Sequence, residues 1–436
     1  MVEDLRDFEI SKERRIHSPA ISFKEHVKYL RNISLVYVNI PFCKSKCHFC
    51  CFSMPFGSDL LLIKKLKNSY IKALKKELAI KSLYFTTKHT VALKAINFGG
   101  GTPTLLTVEE LHEILSLILK FFNQKIGKIK DISIEATPDS LSPAKLKGLM
   151  SIGFNRISIG AQTFNQQILA RLNRRHSVKQ FYTSYDWIRS AGFKNVNIDL
   201  LYGIPFQSFI DFKKDLETAV SLNPEHISPS PLLPPKRFLF SIERENMEKN
   251  IERNIRWARF SHKFIEENGY NNYFHKYFSK KGKESVTELI YFFNIPYIGV
   301  GAGAASWVGV NPSNIKSYIA DSYSDTLFDK DTFDNPLIGI RRLILFPEGI
   351  CIPYFNKRYN CNIEKLLKTP RLALDFCKNL EGIRKKEQVK ETEEQNIKIL
   401  EEWKKKGIIE KRANYIRIAP KKRFSKEAWE LYTYSI

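Results

Sequence analysis

The chain has 436 residues, 70 Lys and Arg against 46 Asp and Glu, a formal net charge of +24 and 43% hydrophobic residues. That apolar content supports a packed core and excludes global disorder, while 20 Gly and 7 Cys exclude collagen-like and disulfide-scaffold chains. No run of about 18 apolar residues is present to cross a membrane, and the length allows about three domains of average size, or one large α/β unit with extensions.

In chain order, MVEDLRDFEISKERR lacks the apolar stretch of a secretory signal, so a cytoplasmic protein is expected. SLVYVNI (34–40) reads as the first strand, followed by a cysteine-rich loop and a helical stretch from about Asp59 to Ser82. ALKAINF (92–98) is the second strand and runs into Gly99, Gly100 and Gly101. Thr107 then opens a helix with Glu110 three residues on, a capping box whose side chains satisfy the amides of the first turn. ISIEA (132–136) is the third strand, and Ser142-Pro143 begins a helix that Gly153 ends. RISIG (156–160), VNIDLLYG (196–203) and HISPS (226–230) continue the series, with helices between.

Strands that alternate with helices make parallel βαβ units. Both an open doubly wound sheet and a (β/α) barrel fit, and in both the chemistry gathers at the carboxyl ends of the strands. The chemistry-bearing residues fall there: the cysteines after the first strand, the glycines after the second, Glu135 in the third, Gln162 after the fourth and Asp199 in the fifth. Beyond about residue 310 the pattern changes. EEWKKKGIIEKRANYIRIAP reads as helix, Gly stop and short hairpin, so the expected division is an N-terminal extension (1–33), a catalytic core (34–310) and a smaller helical, winged-helix-like domain (311–436).

Four of the seven cysteines lie within nine residues, in PFCKSKCHFCCF; Cys351, Cys361 and Cys377 lie far downstream. An odd count in a chain with no export signal argues against a disulfide framework, and clustered thiols in a reducing compartment more often hold a metal. Cys43, Cys47 and Cys50 have C-x3-C-x2-C spacing. Three thiolates from one loop can hold three irons of a 4Fe–4S cluster and leave the fourth open to a substrate or cofactor. The competing reading is zinc, which needs a fourth ligand from Cys51 or His48. The +24 charge also has two readings, a polyanionic partner or Lys-rich solvated helix faces. The basic runs GKIK, WKKKG and PKKRF are short, so a nucleic-acid partner is not expected.

VYVNIPFCKSKCHFC, INFGGGTPTLL, IEATPDSL, GFNRISIGAQTFN, LNRRH, NIDLLYGIP and YIGVGAGAAS, in that order, resemble motifs of the radical S-adenosylmethionine (SAM) superfamily. The resemblance is narrower to the oxygen-independent coproporphyrinogen oxidase and heme-chaperone family, including the related class C methyltransferases, and spans roughly residues 35–310. It implies a partial (β/α)6 TIM-like barrel with a C-terminal helical cap. It also implies that Cys43, Cys47 and Cys50 ligate the cluster, whose open iron chelates the amino and carboxylate groups of SAM. Matching positions assign SAM contacts to Tyr37, Gly99, Gly100, Gly101, Thr102, Glu135, Gln162, Arg174 and Asp199. Glycines let backbone approach the methionine moiety, Arg174 suits the carboxylate and Asp199 the ribose hydroxyls.

The implied reaction starts with one electron from a donor such as flavodoxin or ferredoxin, cleaves SAM to methionine and a 5′-deoxyadenosyl radical, and abstracts hydrogen from a tetrapyrrole or related small molecule. Oxidative decarboxylation and methyl transfer with two SAM molecules are the two outcomes. A heme-binding chaperone without turnover is the alternative, with His48, His176 and His275 as candidate axial ligands. Three features depart from the family pattern: Cys51 directly follows Cys50, Asn39 replaces the histidine before IPFC, and SPSPLLPPKRF (228–238) is atypical in the substrate-shaping region. Cys51 is expected to point away from the cluster.

Overall fold

The computed structural model describes residues 32–50, 60–232, 251–293, 295–304 and 306–307, together with short pieces between 317 and 418. The expected strands all form: β1 (Asn32–Ile40), β2 (Thr90–Gly100), β3 (Asp131–Ala136), β4 (Arg156–Gln162), β5 (Val196–Tyr202) and β6 (His226–Pro231). Helices α1 (Leu60–Lys88), α2 (Val108–Phe121), α3 (Pro143–Ser151), α4 (Gln166–Arg171), α5 (Val178–Ser190) and α6 (Phe209–Ser221) lie between them. The chain then continues through α7 (Ile251–Glu267), β7 (Asn271–Phe274), β8 (Tyr277–Ser279), α8 (Val286–Phe292) and β9 (Tyr297–Val300).

These nine strands form one sheet in the order β7-β8-β6-β5-β4-β3-β2-β1-β9. β1 to β6 pair in parallel with their sequence neighbours, and β9 adds in parallel to the outer side of β1. Only β8 runs against the others, antiparallel to both β6 and β7. This is a partial TIM-type barrel, the one of the two architectures compatible with the alternation that the family resemblance implies. The unforeseen strands are the β7–β8 hairpin and β9, whose segments are short and carry no long apolar run. α1 also continues six residues past the expected end at Ser82.

Strand alternation sets the two faces. Ile132, Ile134, Ile157, Ile159, Val196, Ile198 and Ile227 are buried in the principal core with helix residues such as Leu111, Ile114, Leu146, Ile188 and Leu216. The opposite face carries Ser133, Glu135, Ser158, Asn197, Asp199, His226 and Ser228, in register across four strands. A barrel whose helix-facing side is aliphatic and whose inner side is polar has its hydrophobic drive outside and its chemistry inside.

The local signals behave as read. Thr107 and Glu110 form the reciprocal capping box at the start of α2. Ser142 caps α3 with Pro143 in its first turn, and Gly153 follows its end at φ +105°. Beyond 310, the described pieces include two antiparallel sheets. β10 (Ser317–Asp321) pairs with β11 (Thr326–Lys330), and β12 (Ile350–Cys351) joins the hairpin of β13 (Ile409–Arg412) and β14 (Tyr415–Ile418). Gly407, at φ +63°, precedes that hairpin. Cys51 and the N-terminal residues 1–31 lie outside the described residues, as do residues 233–238 of the proline-rich segment.

Candidate active site at the carboxyl ends of the strands

The loop after β1 is stitched to three neighbours. Gly101 N–H donates to the Ile40 carbonyl (2.9 Å) and Thr102 N–H to that of Phe42 (2.8 Å). On the other side, His48 N–H donates to the Leu172 carbonyl (3.0 Å), and Asn173 Nδ2 to that of Lys46 (2.7 Å). Lys44 pairs with Asp139 at 3.2 Å. The loop is therefore held from the segments after β2 and β3 and from the end of α4 together.

Held this way, Cys43, Cys47 and Cys50 are partly exposed and line one cavity of about 220 Å³. Gly100, Gly101, Thr102, Glu135, Gln162, Arg174 and Asp199 line the same cavity. Thus seven of the nine expected cofactor contacts converge with all three expected metal ligands, although they come from five separate stretches of chain. Tyr37 and Gly99 are not among the lining residues.

Those two sit behind the wall. A Cβ on Gly99 would lie 2.6 Å from Glu135 Oε1 and 2.9 Å from the Tyr37 ring, so the space that the missing side chain leaves is filled by the protein's own residues. Gly100 adopts φ +102°, and a Cβ there would lie 2.0 Å from Asn39 Oδ1. Asn39, at the position where the family motif has histidine, accepts from Tyr37 Oη (3.3 Å) and donates to the Ala302 carbonyl. The glycines close strand against strand, and only Gly100 and Gly101 reach the cavity.

Burial drives the Glu135 carboxyl up to about 8; Asp199 and Glu288 push it the same way, and a hydrogen bond from Gly100 N–H opposes them. Asp199 accepts from Ser158 Oγ (2.6 Å) and Asn197 Nδ2 (2.8 Å). Asn197 Oδ1 in turn faces His226 Nδ1 (2.6 Å), and His226 Nε2 faces Tyr273 Oη (2.7 Å). Burial holds His226 well below its usual pKa, so it is neutral, and the Nδ1–H tautomer satisfies both contacts. Asp199 is thereby fixed by a line of hydrogen bonds that runs through β4, β5, β6 and β7.

Arg174 Nη2 donates to the Gly160 carbonyl (2.7 Å), and Nη1 lies 3.6 Å from Cys47 Sγ. Its Nε is buried without a hydrogen-bond partner. Gly160 leaves room beneath it: a Cβ there would lie 2.7 Å from Gln162 Nε2 and 3.2 Å from Arg174 Nη2, so both side-chain ends would have to shift. Gln162 itself stands at φ +68°, a strained conformation for a residue with a side chain. Thr102 Oγ1 lies 3.6 Å from Cys43 Sγ. Burial first, and then the neighbouring Cys50 and Cys47, raise the Cys43 thiol to about 11. Bound metal reverses that balance, because a coordinating thiol is deprotonated outright.

Two metal readings compete. A single zinc ion takes four ligands, and Cys51, one source of the fourth, lies outside the described residues. A 4Fe–4S cluster gives each thiolate its own iron, which fits three thiols from one loop on the wall of one cavity. His48 is engaged by Arg171, ring Nδ1 to backbone oxygen at 2.7 Å. His176 and His275 are buried at 2% and 6% exposure and do not line the cavity. Residue-level reading missed Ser158, Asn197 and His226, although polar–apolar alternation in RISIG, VNID and HISPS marks them as sharing a face with Glu135 and Asp199.

A family model described as the radical SAM superfamily matches residues 37–219. The heme chaperone HemW of Bacillus subtilis is 33% identical over 294 residues, which cover 65% of this chain and 74% of that protein. The oxygen-independent coproporphyrinogen III oxidase of a Synechocystis strain is 33% identical over 195 residues, 44% of this chain and 40% of that protein. Among solved structures, coproporphyrinogen III oxidase (HemN) from Escherichia coli superposes with a TM-score of 0.67 at 18% identity, over 96% of this chain and 95% of that one. That likeness shows the fold.

Proposed function

This chain belongs to the radical SAM superfamily, in the family of the HemW heme chaperones and oxygen-independent coproporphyrinogen III oxidases, and from that premise we propose that it is a radical enzyme acting on a tetrapyrrole or related small molecule. Members of the superfamily use a 4Fe–4S cluster and SAM. When bound, these supply one-electron cleavage of a carbon–sulfur bond and hydrogen abstraction from the substrate. Everything else falls to the protein.

Cys43, Cys47 and Cys50 would hold the cluster and leave one iron to SAM. Arg174, whose buried Nε has no partner, is suited to the SAM carboxylate. Asp199, its oxygens oriented by Ser158 and Asn197, would accept from the ribose hydroxyls. Glu135, protonated up to about pH 8, presents a neutral carboxyl that can donate as well as accept. The polar inner face of β3 to β6 holds these groups in place through its hydrogen bonds. The observation that carries the reading is the convergence of three thiols and these polar groups on one cavity.

The second reading is a heme chaperone that keeps the cluster and does not turn over. It is favoured by the named relatives, among them HemW of Lactococcus lactis, 27% identical over 77% of this chain and 88% of that protein. One experiment separates the two. After anaerobic reconstitution with SAM and dithionite, the enzyme forms 5′-deoxyadenosine when a coproporphyrinogen-type substrate is added; methyl transfer adds S-adenosylhomocysteine. Heme binding with neither product supports the chaperone. Replacing Cys43, Cys47 and Cys50 by Ala is expected to abolish iron loading, and Cys51→Ala to preserve it. Iron loss in Cys51→Ala would overturn the ligand assignment.

A further inference from the structure

The cysteine loop has an outer side as well as a cavity side. Outward it rests on the end of α4, where the His48 ring meets the Arg171 carbonyl and His48 N–H donates to that of Leu172. Beside this contact, in the turn between β5 and α6, Phe206 stands at φ +66° and is 73% exposed. A bulky residue in that conformation is a genuine outlier, and such strain persists where function uses it. Burial does not repay it here, since the ring is in solvent. The Arg171 guanidinium lies 4.6 Å over the ring and fixes its direction.

Ile210, 63% exposed, follows in the first turn of α6, and Asn165 Nδ2 bonds Asp211 (3.0 Å) to tie that turn to the start of α4. Arg171 is exposed beside the ring, and Lys214, also exposed, lies one helical turn on from Ile210. Among the described residues, the Arg171 guanidinium pairs with no carboxylate. An aromatic anchor with an Arg over it and a Lys at its flank has the composition of a protein-docking hot spot that draws in an acidic partner.

We infer that Phe206, Ile210 and these cations dock an acidic one-electron carrier protein, which reduces the cluster across the His48–Arg171 contact. The inference rests on the radical SAM reading above. The step is a single electron: the carrier is oxidised, the cluster is reduced, and no bond forms or breaks. The route is short because His48 is joined covalently to Cys47 and by hydrogen bonds to the residues at the base of the patch.

The test uses the full-length, cluster-loaded protein, with reduced flavodoxin and reduced ferredoxin as acidic donors and dithionite as the small-molecule control. Cluster reduction is followed by its absorbance in stopped flow. In Phe206→Gly and Arg171→Glu, reduction by the donor proteins is expected to slow at least about tenfold at low ionic strength. Salt should slow the wild type and affect Arg171→Glu far less. Reduction by dithionite and SAM affinity should be unchanged in both. Phe206→Gly, with a residue suited to its backbone, should not unfold at a lower temperature. Donor rates that match the wild type overturn the inference, as does an equal loss with dithionite, which would place the damage in the loop. Wild-type protein reduced by dithionite but by neither donor overturns the docking surface alone. A chain that loads no iron overturns the radical reading and this surface with it.

Discussion

Glu135 shows how a single side chain can be set by three elements. It projects from β3, Asp199 faces it from β5 and Glu288 from α8, and burial among them lifts its carboxyl from the ordinary 4.5 to about 8. Between those values the folded chain holds a proton that the unfolded chain has lost, so this group makes stability fall as pH rises through that window. The cluster-free protein is therefore expected to lose stability from pH 5 to 8 more steeply than Glu135→Gln, measured by urea unfolding at each pH. Parallel curves would remove the carboxyl from the balance. Asp199 differs in kind: Ser158 and Asn197 already satisfy it, so it enters the site as an oriented acceptor.

At the scale of elements, the turn after β4 is shaped by a helix. Asp215, on the buried side of α6, accepts from Phe164 N–H (2.6 Å) and Thr163 Oγ1 (3.1 Å), the residues that follow the strained Gln162. Gln207 Nε2 approaches its other oxygen at 3.3 Å. Replacing Asp215 by Ala leaves buried donors unmatched and should cost about 2 kcal/mol. Because the turn that loosens carries Gln162, SAM affinity should weaken as well, measurable by calorimetry on the cluster-loaded protein. A stability loss with unchanged affinity would confine Asp215 to a structural role. α1 does similar work at the other end of the sheet. Lys81, 3% exposed, pairs with Glu77 at 2.9 Å and donates to the Gly299 carbonyl, while Glu77 accepts from Gly301 N–H.

For the whole molecule, that buried pair couples the first helix to the last parallel strand, since Gly299 and Gly301 lie in and just after β9. Lys81→Met should cost about 3–5 kcal/mol, because it strands a carboxylate inside without its ammonium. The loss should be larger than in the double variant Lys81→Met with Glu77→Gln, where no charge is left unpaired; equal losses would show that the charge itself is immaterial. The same wall carries Asn39, Tyr70 and Ala302, which meet through the Tyr70 hydroxyl and the Asn39 amide. One edge of the barrel thus supports Gly100 from behind, and through it the cavity. No helix among the described residues is long and apolar enough to cross a membrane.

The 436 residues and +24 charge bounded the chain without saying what it does; local pattern in the sequence did more. Six strands, the Thr107 capping box and the Ser142–Gly153 helix were legible because each depends on residues a few positions apart. So was the C-x3-C-x2-C spacing of the three proposed ligands, since one loop carries it. Tertiary structure decided what depends on distant partners. The line from Asp199 through Asn197 and His226 to Tyr273 spans separations of 29 to 47 residues at its histidine alone. It also separated Gly99 and Tyr37 from the cavity and left Phe206 in solvent beside the loop. Spacing in sequence reports which side chains share an element; only the packed sheet decides which of them share a space, because that follows from register between strands.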